Sequence, residues 1–582
     1  MRTEILRGSA LLAGVLSVIH TVAAAEQGEN KHSPECYYLP TDPQWPSDAQ
    51  WNKLNHTAQG RLIRGVPLAR PCYGLNINAA RCAVLAKDWS TQDIFAADPV
   101  NVMGQYFQNN SCSPFLAPKA TCSLGNLAQY AINVSDASDV VAGIKFARAE
   151  NVRLIVKNTG HDVLGRSSGK GSLALWTHNM KDISFISKYR SPFYSGPAAR
   201  VGAGVEVLEA YEAARAHGYR VAGGGCPTVG LAGGWLPGGG HGPLSSSYGL
   251  GADNALEYEV VTLDGRYDTA SPSHNADLYW ALSGGGGGTY AIILSITLRA
   301  HRDGPVVGAE FSFVNTSPKA YWAAVEAWAR HLLVIEEDFP TLQASVTFNN
   351  QFFQLAFATL PDATSADKMS EALDPFFQEL ASLNISLTAN TTVLSPSFAD
   401  HYNAFPSSYV DNITIGNRLI PRGLVQNATG LSTLINTIRT IATNNSAANF
   451  IITAANVSTA RVGIDATVNS VLPAWRDSAF LLNFAIVQAP DASWAELQRL
   501  QATANGYMTQ FRALTPGGGT YPNEASFNYA FWKTDYYGAN YRRLLSIKKR
   551  YDPDNMLWGS VNVGGDLMTV AADGRLCKAS ER

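Results

Sequence analysis

Residues 223–242 read GGGCPTVGLAGGWLPGGGHG, ten glycines in twenty positions with one cysteine, Cys226, among them. Only glycine lacks the Cβ that holds a backbone away from its neighbours, so a run this dense marks backbone laid against a large flat group or a phosphate. A flexible linker would be rich in serine and other polar residues. This run instead carries Val229, Leu231, Trp235 and Leu236, side chains that seek burial. It predicts a bound cofactor.

Outward from the run, the chain reads as strands and short helices. Residues 152–157 (VRLIVK) form a buried-strand pattern that ends in the turn Asn158-Thr159-Gly160. Residues 200–207 alternate like a strand and lead into a helical pattern over 208–217, and 257–269 predict a hairpin about Asp264-Gly265. A helix follows at 276–282, then five consecutive glycines at 284–288 and a strand at 290–298. Beyond about residue 303 the glycine clusters vanish. Amphipathic helices at 319–337, 366–383 and 493–514 alternate with strands at 344–348, 353–359 and 479–487, which predicts a second α+β unit with one antiparallel sheet covered by helices. A last helix over 539–550, stopped by Asp552-Pro553, is expected to return to the first unit. The boundaries are 1–25 for a leader, 26–120 for an amino-terminal segment, 121–303 for the cofactor domain, 304–515 for the substrate domain and 516–582 for the returning segment.

With 582 residues, 46% hydrophobic and 16% charged, the chain can bury more than one domain core. A net charge of −3 gives no basic footprint, so nucleic acid is not an expected partner. Arg2 and Arg7, the apolar residues 10–19 and Ala23-Ala24-Ala25 have the order of a secretory signal peptide, and no later run is long enough to insert in a membrane. The mature protein is therefore expected outside the cytosol, either extracellular or in a secretory-route lumen such as the vacuole, and monomeric. Ten N-x-S/T sequons, six of them within residues 384–456, predict N-glycans on one exposed face. The seven cysteines are odd in number. Setting Cys226 aside for the cofactor leaves Cys36, Cys72, Cys82, Cys112, Cys122 and Cys577, enough for three disulfides. Cys72 with Cys82 and Cys112 with Cys122 are the nearest pairs, although six cysteines allow fifteen connectivities.

Familiar nucleotide motifs are absent. Neither glycine cluster has the third glycine of G-x-G-x-x-G opening a helix, and residues 165–172 (GRSSGKGS) miss both the P-loop spacing and its magnesium-binding Ser or Thr. No H-E-x-x-H or C-x-x-C occurs, so no metal is indicated. What remains is a pair on two glycine loops: His161, in Gly160-His161-Asp162 after a buried strand, and Cys226.

Five segments carry a resemblance: KNTGHD at 157–162, CPTVGLAGGWLPGGGHG at 226–242, YGLGADN at 248–254, YWALSGGGGGTY at 279–290 and YYGANYRRLLSIKKRYDPDNML at 536–557. Together they resemble FAD-linked oxidoreductases of the vanillyl-alcohol oxidase superfamily, with its PCMH-type FAD domain. The nearest branch is that of the berberine-bridge-enzyme-like proteins, and within it the secreted fungal enzymes related to isoamyl alcohol oxidase. The resemblance spans residues 112–563 and implies an α+β fold: a two-part FAD-binding domain plus a substrate domain whose antiparallel sheet is covered by helices. It implies FAD joined through its 8α-methyl to His161 and through C6 to Cys226. Lys157, Gly160, Asp162, Gly165, Thr228, Gly230, Gly233, Gly234 and Gly240 would complete the cofactor site. One departure is plain: plant members place a histidine after the paired glycines, whereas Trp235 follows Gly233-Gly234 here, so plant substrate chemistry does not transfer.

The reaction that this family implies is oxidation of a CH–OH or CH–NH donor in a small molecule, possible as a step of secondary metabolism, with O2 as acceptor and hydrogen peroxide as product. In the family the base lies on the substrate-domain sheet or in the stretch matching YPNEASF at 521–527, with Tyr521 the first candidate, Glu524 the second and Asn523 placed to orient the substrate hydroxyl. An oligosaccharide or sugar oxidase is the alternative among enzymes. A flavoprotein that binds a small ligand without turnover is the alternative outside them.

Overall fold

The computed structural model describes residues 36–579 except 76, 109, 117–120 and 407–411. The expected leader at 1–25 and the sequon at Asn109 lie outside the described residues.

The cofactor domain has two parts. In the first, the strands Tyr130–Asn133, Ser172–Trp176 and Arg153–Lys157 run parallel in that spatial order, with Leu62–Arg64 antiparallel at the edge. The helix Ala137–Ala149 joins two of the parallel strands, capped by Asp136, whose carboxylate accepts from Ser138 N at 2.7 Å. Its buried Val140, Ile144 and Ala147 recur at helical spacing and pack with Leu154, Leu173 and Leu175 of the sheet. Gly143 permits the close approach, because a Cβ there would stand 2.6 Å from a methyl of Leu175. The second part is a six-stranded antiparallel sheet built around Ile292–Arg302. The expected hairpin is present as Ala255–Val261 and Tyr267–Ala270, with Gly265 at φ +84° in its turn.

The substrate domain is a seven-stranded antiparallel sheet in the order Ala389–Ser395, Val306–Val314, Phe352–Pro361, Gln343–Phe348, Ala448–Ala454, Ser478–Val487, Ile413–Pro421. The helices Pro318–Asp338, Asp367–Ser382, Ala428–Asn444 and Trp494–Leu514 supply the apolar side chains that pack with the sheet. The two-residue period of Ser478–Val487 then decides what the other face presents. Phe480, Leu482, Phe484 and Ile486 join the helix-covered core, while Leu481 packs with Leu250, Trp475 and Tyr521, and Asn483 points the same way. That second face meets the cofactor domain, so the functional site forms between the two.

The two ends of the described residues are tied to this body. Cys36 pairs with Cys577, Cys72 with Cys82 and Cys112 with Cys122. In the returning segment, the buried Lys548 ammonium donates to Thr289 O, Asp552 Oδ2 and Leu557 O at 2.6–2.8 Å, which fastens the helix Tyr541–Tyr551 onto the end of the second glycine run. No helix among the described residues is long and apolar enough to cross a membrane. Of the sequon asparagines, Asn384, Asn390, Asn427 and Asn444 are exposed. Asn390 sits on Ala389–Ser395, one of the two edge strands of the large sheet.

Candidate active site

The strand Arg153–Lys157 delivers the turn that carries His161, and the glycine run delivers Cys226 to the same place. His161 Nε2 lies 2.7 Å from Thr228 Oγ1, and Thr228 Oγ1 lies 3.9 Å from Cys226 Sγ. One hydroxyl thus touches both expected points of attachment. Gln92, from the amino-terminal segment, completes the cluster: its Oε1 accepts from Cys226 Sγ at 3.0 Å and from Thr228 Oγ1 at 2.9 Å. Burial, and then the Lys157 cation, push the His161 imidazole down to about pKa 3. The ring is neutral and nucleophilic throughout the range in which an ordinary histidine titrates.

Below His161 the loop is braced by its neighbours. Asp162 accepts from Leu164 N at 3.0 Å, Ser167 N at 2.6 Å and Ser167 Oγ at 2.8 Å, and Arg166 lies 3.6 Å from the same carboxylate. Gly160 and Gly165 take φ of +86° and +73°, the left-handed region that glycine enters without strain. The Lys157 ammonium is taken up by the carbonyls of Phe95 at 3.0 Å and Asp98 at 2.6 Å, and its burial pushes it down to about pKa 7. It pins the amino-terminal segment beneath the loop.

The glycine run is less uniform than its composition implies. A Cβ on Gly230 or Gly233 would strike the Asn158 side chain at 2.0 and 2.6 Å, and one on Gly240 would strike the Trp235 ring at 2.8 Å. These glycines let protein pack on protein. Gly234 and Gly288 differ, since a Cβ there would meet nothing within 4 Å. Beside that open cradle, the buried oxygens Asn158 Oδ1 and Asn523 Oδ1 have no hydrogen-bond partner among the described residues. Backbone without side chains, bordered by unsatisfied polar atoms, fits a large flat polar cofactor.

At the other end of the run stand the substrate-side candidates. Glu524 is clamped by His241 Nε2 at 3.0 Å on one carboxylate oxygen and by Asn483 Nδ2 at 2.9 Å on the other, and its side chain remains 30% exposed. Asn523 Nδ2 donates to Tyr521 Oη at 2.9 Å and to the carbonyls of Gly234 and Trp235 at 3.2 Å, joining this turn to the cradle. Tyr521 is 1% exposed, and its burial, reinforced by Glu524, drives the phenol far above the usual tyrosine range. Its place is fixed by Asn417, which bonds Tyr521 N and O and Glu524 O at 2.8–2.9 Å.

The structure therefore brings the sequence candidates into two clusters joined by the glycine run. It also adds Gln92, His241, Asn417 and Asn483. Asn417 and Asn483 are cross-strand partners, both buried amides in largely apolar strands. Such burial is costly without a role, and that was the available signal. His241 stood inside the run itself. Nothing local marks Gln92.

The comparisons with known proteins agree with this geometry. The model of an FAD binding domain matches residues 128–271, and that of berberine and berberine-like proteins matches 520–564. A VAO-type flavoprotein oxidase of Thermothelomyces thermophilus is 43% identical over 565 residues, covering 94% of this chain and 96% of that one. The crystal structure of the VAO-type flavoprotein MtVAO615 from Myceliophthora thermophila C1 superposes with a TM-score of 0.88 at 41% identity, over 94% of this chain and 100% of the other. A glucooligosaccharide oxidase of Acremonium strictum, described as carrying 6-S-cysteinyl, 8α-N1-histidyl FAD, shares the fold at 17% identity and TM-score 0.61, over 75% of this chain and 92% of its own. Two-part FAD domain, helix-covered substrate sheet and berberine-like carboxy-terminal segment define the class. This chain belongs to the VAO-type, berberine-bridge-enzyme-like family of FAD-linked oxidoreductases.

Proposed function

We propose that the protein is a secreted oxidase with doubly attached FAD that oxidises an alcohol group of a small molecule. The observation that carries this is the convergence of His161 and Cys226 on Thr228, which supports attachment at both residues. When bound, FAD accepts hydride from the donor carbon and passes the electrons to O2, giving hydrogen peroxide. The loop held by Asp162, with Gly160 and Gly165, supports the cofactor on one side. Gly234 borders the other, in a wall that Gly230, Gly233 and Gly240 hold together by their close packing on Asn158 and Trp235. Glu524 takes the substrate hydroxyl proton: a carboxylate held by His241 and Asn483 and still partly open has the geometry of a general base. Tyr521 is given a packing role instead: its ring lies 5.0 Å from that of His241, and burial holds its phenol above the usual tyrosine range. Asn523 orients the substrate hydroxyl. Three disulfides and the exposed sequon residues support a secretory route with N-glycans.

Purified protein is expected to be yellow, and the colour to stay with the polypeptide after acid precipitation. His161→Ala and Cys226→Ala should each retain one link, and the double variant should release all its FAD on denaturation. Complete release from the unaltered protein would defeat the attachment reading. Peroxide release measured across alcohols, sugars and phenols then identifies the donor class, and silence across all three would overturn the oxidase reading.

A pH dependence follows from His161. Lowering the pKa of a base keeps its neutral form populated to lower pH, so at pH 5 an imidazole near 3 stays unprotonated. An ordinary imidazole would lose roughly 25-fold of its neutral form between pH 7 and pH 5. In a Cys226→Ala background, covalent incorporation of FAD into protein from a flavin-starved host should differ by less than about threefold between these pH values. A fall of the larger size would show that His161 titrates normally.

A further inference from the structure

Gln92 comes from a part of the chain remote from both glycine loops, yet it contacts both attachment residues, one of them through Thr228. It immediately precedes the short helix Asp93–Ala96, where Phe95 and Ala96 N–H groups donate to its carbonyl at 3.1 and 3.0 Å. Phe95 packs with Trp89, Cys72 and Cys112, so two of the disulfides brace the segment. Two residues of the same segment, Phe95 and Asp98, hold the Lys157 ammonium by their carbonyls. The side chain of Gln92 is thus fixed from behind, with its Oε1 facing Cys226 and Thr228.

The direction of the protons follows from the groups involved. A carbonyl oxygen only accepts, so Thr228 gives its single hydroxyl proton to Gln92 Oε1. Thr228 Oγ1 must then accept from His161, which places the ring proton on Nε2 and the lone pair on Nδ1. The thiol of Cys226 donates to the same Gln92 oxygen, which aims its sulfur.

We propose that Gln92 is a positioning residue for covalent attachment of FAD, turning His161 through Thr228 so that Nδ1 faces the cofactor, and orienting the Cys226 thiol directly. The inference rests on the doubly attached FAD proposed above. At each site one hydrogen leaves the residue and one leaves the flavin carbon, a nitrogen–carbon or sulfur–carbon bond forms, and the two electrons and two protons reduce one O2 to hydrogen peroxide. Gln92 is not consumed and touches no reacting carbon; its effect is on the rate at which the attachments form.

The test uses the full chain from a flavin-starved host, mixed with FAD in air. Covalent flavin is followed by fluorescence of the acid-precipitated polypeptide and by intact mass, and reversible binding by rapid filtration in the first seconds. Gln92→Leu should slow covalent incorporation about 10- to 100-fold, the scale of a misplaced reacting group, while reversible FAD affinity stays within about twofold. Gln92→Glu keeps an acceptor at the same place and should recover incorporation to within about threefold of the unaltered rate. Thr228→Val should slow the His161 link in a Cys226→Ala background, and Thr228→Ser should restore it. If Gln92→Leu does not fold, the Thr228 pair decides the matter by the same readout. Incorporation at the unaltered rate in Gln92→Leu, or in Thr228→Val, overturns the proposal, as does a Gln92→Glu variant as slow as Gln92→Leu. Absence of acid-stable flavin in the unaltered protein instead removes the reading on which it rests.

Discussion

With Glu524 as the proposed base, Glu524→Gln should slow anaerobic reduction of the bound cofactor by a good substrate about 10²- to 10⁴-fold, the usual cost of losing a general base. The substitution keeps the length of the side chain and an oxygen that can face His241 or Asn483, so the turn at residues 522–524 should keep its shape. What is lost is a group able to hold the substrate proton. Reoxidation by O2 should change by less than about threefold, because no substrate hydroxyl is deprotonated in that half-reaction. Tyr521→Phe is the matched comparison. Its phenol is buried and hydrogen-bonded to Asn523 Nδ2 and the Gly240 backbone, so reduction should stay within about tenfold of the unaltered rate. Stopped-flow traces at 450 nm read both halves separately. A large loss in Tyr521→Phe with none in Glu524→Gln would return the base to the tyrosine.

Those two residues show where sequence was informative and where it was not. Tyr521 and Glu524 lie three positions apart in one short segment, and the family resemblance makes both candidates for the base. Choosing between them needs burial and neighbours, which come from Asn417, His241 and Asn483 on three other elements. The elements themselves were legible because their patterns are local: the helix expected at 276–282 is Ala276–Leu282, and that expected at 319–337 is Pro318–Asp338. Disulfide pairing was legible where the partners are ten residues apart, and with those two pairs formed the remaining Cys36 and Cys577, separated by 541, tie the amino-terminal segment to the carboxy-terminal tail. The glycines mark the cofactor cradle, but the reason differs from position to position. Gly230 and Gly233 accommodate Asn158, Gly240 accommodates Trp235, and only the open ones, such as Gly234, leave room for something that is not protein. Composition reports the density of glycine, not what each one faces. Gln92 was invisible because its partners are 134 and 136 positions away and glutamine has no local pattern of its own.

Asp253 carries the largest expected effect on stability. It lies in the YGLGADN segment of the cofactor domain with no exposed side-chain surface, and Arg476 of the substrate domain reaches it with both guanidinium nitrogens, at 2.9 and 2.7 Å. Leu250 N at 2.9 Å and Asn469 Nδ2 at 2.7 Å fill its remaining acceptor sites. Asp253→Asn leaves the Arg476 cation buried against a neutral amide, and breaking a buried pair from one side costs about 3–5 kcal/mol. For a chain of this size the melting midpoint should fall by about 2–4 °C. Removing the stranded charge as well, with Arg476→Met in the same chain, should recover part of that loss, which separates charge burial from simple loss of contact. The consequence extends to the site. Leu250 and Ala252 pack with Val471, Trp475 and Tyr521 across the domain boundary, and the Trp475 ring lies 5.9 Å from that of His241. A loosened Asp253–Arg476 pair therefore shifts the wall that aligns His241 with Glu524. Well below its melting midpoint, Asp253→Asn should still bind FAD through the intact His161 and Cys226 cluster yet reduce it more slowly. A melting midpoint within about 1 °C of the unaltered protein would show that the two domains are held in register by something other than this pair.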